Sequence, residues 1–109
     1  MVEVLRYVTE EGAAVVSEWL AGIGDERARA KIVVRFSRLA AGNFGDCKPL
    51  QDGVWELRID WGPGYRVYYA RAGRTCVLLL CGGDKRKQSA DIARAVAYWN
   101  DYRRRTAKP

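Results

Sequence analysis

Between residues 54 and 61 apolar and polar side chains alternate, with Trp55, Leu57, Ile59 and Trp61 on one face of an extended strand and Glu56, Arg58 and Asp60 on the other. Gly62-Pro63-Gly64 reads as a turn and Tyr65 to Arg71 as the returning strand. Matching the two apolar faces sets Trp61 opposite Tyr65 and Ile59 opposite Val67, which brings Asp60 across from Arg66 and Arg58 across from Tyr68. Elsewhere the period lengthens. Val16, Trp19, Leu20 and Ile23 recur at helical spacing, predicting a helix that Thr9 caps, that carries Glu10 and Glu11 in its first turn and that Gly24 ends. Asp25 caps a second helix in which Ile32, Val33, Phe36, Leu39 and Ala40 face the core. Arg27, Lys31, Arg35 and Arg38 form a basic stripe on its other side. Val2 to Val8 predicts an opening strand, and residues 43 to 49 a loop. The unbroken apolar run from Cys76 to Cys81 predicts an interior strand covered on both faces. Ile92, Val96, Trp99 and Tyr102 mark a last helix, capped by Asp84 or Ser89.

The resulting order, β-α-α-β-β-β-α, describes an α+β domain of two layers, a mostly antiparallel sheet packed on helices, spanning residues 1–109. Trp55, Leu57 and Ile59 meet the helix stripes in this reading. The opposite face is left to Glu56, Arg58, Asp60, Arg66 and Tyr68.

Composition narrows the chemistry. The chain is 49% hydrophobic and 29% charged, which is ordinary for a folded globular protein. It has no histidine, so a Ser-His-Asp triad and every His-containing metal site are excluded. Cys47, Cys76 and Cys81 lack the spacing of paired zinc ligands and read as free thiols in a reducing compartment. No metal and no cofactor are implied. The first residues lack the pattern of a secretory signal, and the run from Cys76 to Cys81 is far shorter than the roughly 20 residues that span a bilayer. These features predict a cytoplasmic protein with no membrane partner.

The formal net charge is +6, unevenly spread. Residues 1 to 24 hold one basic and four acidic groups, which leaves 18 basic against 9 acidic groups after them. Cations beside aromatic rings suit a polyanion with stackable bases. Lys85, Arg86 and Lys87, directly after Gly82-Gly83-Asp84, form a second cluster where backbone can approach an anion. The spacing is not that of a nucleoside triphosphate loop. Arg58 and Arg66 are also read as cross-strand ion-pair partners of Glu56 and Asp60, pairs worth little each. Because Tyr65, Val67 and Tyr69 on the other face supply the packing, Arg66→Ala is expected to leave stability within about 1 kcal/mol.

The segments Lys48-Pro49-Leu50, Gly53 to Ile59, Gly62 to Tyr69, and Gly82-Gly83-Asp84-Lys85 with Asp91-Ile92 together resemble the addiction-module killer proteins, HigB-like toxins of the RelE/ParE superfamily. The resemblance covers nearly the whole chain. It implies a small sheet on a helical hairpin with a C-terminal helix, and a type II toxin held inactive by a cognate antitoxin, commonly a helix-turn-helix DNA-binding protein. It implies ribosome-dependent cleavage of mRNA, with the ribosome and mRNA as partners. Alternatives are a ParE-like DNA gyrase inhibitor and a non-catalytic nucleic-acid- or protein-binding module. Arg66 matches the arginine that RelE-type toxins set at the scissile phosphate, Arg58 a basic strand position of their site, and Lys85 or Arg86 the basic group after the last strand. Ile92 and Glu56 depart from that pattern, falling where RelE carries a tyrosine and a lysine.

Cleavage of RNA without a metal requires an activated 2′-hydroxyl, a stabilised pentacoordinate phosphate and a proton for the 5′-oxygen. Arg58 and Arg66 suit the second task, because a guanidinium is a forked, permanently charged donor. The base is Glu56, a lysine such as Lys85, or a group of the ribosome. Lys48, Arg86 and Lys87 are candidate RNA contacts, and Tyr68 the candidate for stacking on a base.

Overall fold

The computed structural model describes residues 1–107. Its elements are β1 (Glu3–Arg6), α1 (Val15–Ala21), α2 (Glu26–Ala40), β2 (Cys47–Pro49), β3 (Val54–Ile59), β4 (Tyr65–Gly73), β5 (Cys76–Asp84), a 3-10 turn (Lys85–Lys87) and α3 (Gln88–Thr106). The five strands make one sheet in the order β1-β5-β4-β3-β2, parallel between β1 and β5 and antiparallel elsewhere. This is the α+β architecture expected from the sequence. None of the described helices is long and apolar enough to cross a membrane.

The alternation along β3 and β4 sorts the side chains into two cores. Leu57, Ile59, Val67 and Tyr69 point to the hairpin of α1 and α2, where they meet Val16, Ile32, Phe36 and Leu39. Val54, Tyr68 and Ala70 point to α3, against Ala95 and Trp99. β5 serves both. Val77 and Leu79 join the first cluster and Leu78 the second, as expected of an interior strand. A bulge against Tyr68 and Tyr69 then lets both Leu80 and Cys81 enter the α3 side.

Four local expectations change. The hairpin of β3 and β4 pairs Ile59 with Tyr65 and Leu57 with Val67, two residues from the predicted register. The shift is even, so each side chain keeps its face. Trp61 is released from the strand into the turn, where its indole Nε1 donates to Asp25 Oδ2 at 3.2 Å and its ring lies 4.5 Å beneath Lys31 Nζ. Second, residues 47 to 49 are an edge strand and not a loop, pairing Lys48 with Glu56. Third, α1 starts at Val15. Thr9 instead accepts from the amide of Ala13 in a turn that contains Gly12 at φ 90°, so Glu10 and Glu11 lie outside the helix. Finally, Val33 is 43% exposed, because α2 turns Ala28, Ile32, Phe36 and Leu39 inward.

α2 follows its sequence signals closely. Asp25 Oδ1 accepts from the amides of Arg27 and Ala28, and Gly42 at φ 88° ends the helix. Asp84 caps the 3-10 turn by accepting from the Arg86 amide, while Ser89 already lies within α3.

Candidate functional site

The observed register sets Arg58 directly opposite Arg66 on the face away from the hairpin. α3 covers Val54 and Tyr68 on this face, while Arg58 and Arg66 stay partly exposed. Gly62 and Gly64, at φ 57° and 82°, complete the β3–β4 turn beside them, and the carbonyl of Gly64 accepts from the Lys85 amide at 3.1 Å. Arg58, Arg66 and Lys85 thereby line one hollow of about 270 Å³, together with Asp46, Asp60, Gly62 and Gly64. A Cβ on Gly64 would stand 3.4 Å from both Arg66 Nη1 and Lys85 Cδ, besides requiring an unfavourable positive φ.

Each arginine is held by its own carboxylate, which is how like charges tolerate facing positions. Arg58 Nη2 and Nε donate to Asp46 Oδ1 at 2.6 and 3.0 Å, and this hydrogen bonding raises the guanidinium above its ordinary pKa. Arg66 Nε donates to Glu56 Oε1 at 3.0 Å. Asp60, the expected partner of Arg66, is exposed and across from neither arginine. Arg35 leaves the predicted basic stripe to brace the region from behind, donating to the carbonyls of Arg58, Phe44 and Asp46. Its burial lowers the guanidinium pKa without threatening its charge.

Two predicted site residues prove to be interior. Glu56 has no accessible surface. Its Oε1 accepts from Arg66 and from Gln88 Nε2, the latter at 2.7 Å, so the carboxylate anchors Arg66 and does not front the hollow as a base would. Tyr68 is likewise fully buried, beside Ala95 and Trp99, and offers no ring face to a base. Burial and the neighbouring carboxylates Glu56 and Asp91 push its hydroxyl pKa up strongly. Both corrections have one cause: α3 covers this end of the face that alternation marks as polar.

The remaining candidates do not line the hollow. Lys48 is half exposed on β2, its Nζ 3.9 Å from Glu56 Oε2. Arg86 and Lys87 are exposed on the 3-10 turn, past Lys85, and Arg86 is paired with Asp84 at 2.9 Å. Asp46, Gln88 and Arg35 are the site residues that sequence reasoning missed in these roles. The arrangement sets the three cations Arg58, Arg66 and Lys85 beside the two open carboxylates Asp46 and Asp60, with Glu56 enclosed behind them.

A five-stranded sheet on a helical hairpin, with a C-terminal helix and arginines on the open face, defines a small toxin-type module of the RelE/ParE kind. Residues 18–97 match the family described as phage-derived protein Gp49-like (DUF891), a RelE/ParE-like toxin family, and the chain belongs to it. It is also similar to an uncharacterized protein of Haemophilus influenzae, 53% identical over 77 residues that cover 71% of this chain and 78% of the relative.

Proposed function

We propose that the protein is a HigB-like toxin that arrests growth by cutting mRNA at the ribosome, and that a cognate antitoxin of the helix-turn-helix DNA-binding kind holds it inactive. The observation that carries this reading is the convergence of Arg58, Arg66 and Lys85 on one hollow. In the proposed reaction the RNA 2′-oxygen attacks the adjacent phosphorus while the bond from phosphorus to the 5′-oxygen breaks, leaving a 2′,3′-cyclic phosphate and a 5′-hydroxyl. Arg66, fixed by buried Glu56, and Arg58, fixed by Asp46, stabilise the charge that develops on the phosphorane. Lys85 extends into the same space as a third cation and a candidate for handling protons. With Glu56 enclosed, the base is Lys85 or a group supplied by the ribosome. The antitoxin is expected to cover the open cationic end of the sheet or the exposed Arg27, Lys31 and Arg38 of α2, since an acidic segment complements either.

Induced expression in the cytoplasm of a bacterial host, followed by mapping of mRNA 5′ ends, tests the reading. New 5′ ends that vanish with Arg58→Ala are the expected result. Inhibited supercoiling with intact mRNA would overturn cleavage in favour of gyrase poisoning. Co-expression with the neighbouring reading frame should relieve the arrest and yield a stable complex.

A further inference from the structure

The outer side of α2 stays exposed, on the opposite side of the sheet from the arginine hollow. While Ala28, Ile32, Phe36 and Leu39 turn inward, Ala30, Val33, Val34, Ser37 and Ala41 stand exposed. Their spacing, i, i+3, i+4, i+7 and i+11, aligns them as one uncharged stripe about 16 Å long. Val33 and Val34 are 43% and 47% exposed, two of four large apolar side chains left open among the described residues. A lone exposed valine needs no explanation. Adjacent ones in a stripe bordered by charge mark a surface made for contact.

The charge beside the stripe is cationic. Arg27, Lys31 and Arg38 are exposed there, and between Lys31 and Arg38 a hollow of about 260 Å³ opens against Val34, Arg35 and Ile59. Arg35 donates to the carbonyls of Arg58, Phe44 and Asp46, so its guanidinium is already engaged. Glu26, the acidic residue of this helix, pairs with Arg29 at 3.9 Å. Among the described residues no ion pair engages Arg27, Lys31 or Arg38, in contrast to Arg58, Arg66 and Arg86. Like charges one turn apart, as Arg27 and Lys31 are, repel each other, and carboxylates from a partner would relieve them. Phosphate groups would satisfy the same cations but leave Val33 and Val34 in water, whereas the side chains of a polypeptide serve both.

We propose that an acidic amphipathic helix of a partner protein docks along this face of α2. Its aliphatic ridge covers the stripe around Val33 and Val34, and a carboxylate enters the hollow to pair with Lys31 and Arg38. The inference rests on the reading of the chain as a toxin restrained by an antitoxin, and it assigns the antitoxin's hold to α2 and not to the cationic end of the sheet. Because Arg58 and Arg66 open on the other side of the sheet, the hold and the proposed chemistry use separate surfaces.

The test uses the complex of the full chain with the co-expressed product of the neighbouring reading frame. Acetic anhydride labels exposed lysines of the unaltered protein, free and in the complex. Lys31 should lose most of its reactivity on binding, while Lys85, at the arginine hollow, stays labelled. Val34→Glu and, separately, Ala30→Arg alter exposed helix positions, so both should melt near the unaltered protein and weaken the complex about tenfold or more, since each sets a charge or bulk against the docked ridge. Lys31→Gln with Arg38→Gln should weaken it at low salt and flatten its salt dependence. Because the lysine labelling needs no variant, a misfolded variant does not rescue the proposal. A complex in which Lys31 stays reactive and Lys85 is shielded overturns this inference and leaves the antitoxin reading standing. No complex at all overturns the antitoxin reading, and this inference with it. Protection of Lys31 by a 2′-O-methylated RNA, with a complex indifferent to Val34→Glu, assigns the face to nucleic acid and overturns the proposal.

Discussion

Arg66 reaches across from β4 to β3 and donates its Nε proton, at 3.0 Å, to a carboxylate of Glu56 that has no contact with solvent. The guanidinium itself is 17% exposed on its side chain, so one end faces the hollow and the other is sunk against its partner. Removing one member of such a pair leaves the other buried and poorly compensated, a loss of about 3 to 5 kcal/mol. Arg66→Ala is therefore expected to destabilise the fold strongly, contrary to the small effect expected from an open polar face. Glu56→Gln in the same chain should restore much of the loss, because the stranded charge is gone. Urea unfolding of the single and double variants checks both statements.

Arg58 offers the cleaner functional probe. Its side chain and that of Asp46 are 37% and 51% exposed, and an ion pair so placed contributes within about 1 kcal/mol. Arg58→Ala should melt close to the unaltered protein while lowering mRNA cleavage about a hundredfold, the scale of one preorganised charge stabiliser. Retained cleavage in the folded variant would leave Arg58 as an ion-pair partner of Asp46 and nothing more.

Acid should act oppositely on Asp91 and on the other perturbed aspartates. Desolvation raises the Asp91 carboxyl above its ordinary pKa, with Arg94 opposing the shift. The folded state therefore takes up a proton at Asp91 more readily than the unfolded chain, and its ionised form burdens folding at neutral pH. Asp91→Asn should be at least as stable as the unaltered protein near about pH 7, its advantage shrinking as pH falls toward the ordinary aspartate value of about 3.9. Asp25, Asp84 and Asp101, lowered chiefly by hydrogen bonds from Trp61, Arg86 and Tyr7, lose their stabilising effect only below that ordinary value, as pH falls toward their own lowered values, and do so in both proteins. The difference between the two denaturation curves thus reports Asp91.

The thiols should separate by reactivity. Burial pushes the Cys81 thiol up to about 11 and shields it beneath α3, whereas Cys47 and Cys76 are half exposed. A disulfide reagent should label the latter two in the folded protein and reach Cys81 only on unfolding.

Gly82→Ala is expected to cost about 1 to 3 kcal/mol, since the methyl would overlap the Trp19 ring. Trp19→Ala in the same chain should recover part of the loss, and thermal melts of the pair measure the coupling.

Much of the fold was readable because its signals are local. Asp25, the apolar spacing of Ile32, Phe36 and Leu39, and Gly42 together specify α2 without reference to the rest of the chain. Alternation likewise identified the faces of β3 and β4, but it does not say where the chain turns. Trp61 continues the apolar pattern, so alternation alone keeps it in the strand, and only Asp25 and Lys31, at the cap and on the body of α2, reveal why it leaves. Cys47-Lys48-Pro49 is too short a run to carry a strand pattern. The site was legible to the same degree. Arg58, Arg66 and Lys85 could be grouped from their motifs, whereas the roles of Asp46, Arg35 and Gln88 depend on partners 12, 23 and 32 positions away. The enclosure of Glu56 and Tyr68 was hidden for a related reason: a polar face in one strand carries no record of the helix that will cover it.

The parallel pairing of β1 with β5 joins Glu3 to Cys76, and Tyr7 donates to Asp101 near the end of α3. β1 is thus tied to β5 within the sheet and to α3 beside it, which sets an order for folding. A nascent polypeptide that has not yet delivered α3 lacks Gln88 to hold Glu56 and lacks Ala95 and Trp99 to close over Tyr68. Arg66 is then paired with a carboxylate that Gln88 does not yet hold. Helical segments such as α2 can assemble early from local contacts, while the pairing of first and fifth strands must await almost the whole sequence. The cationic site is therefore completed only once α3 has been made and has folded back over the sheet.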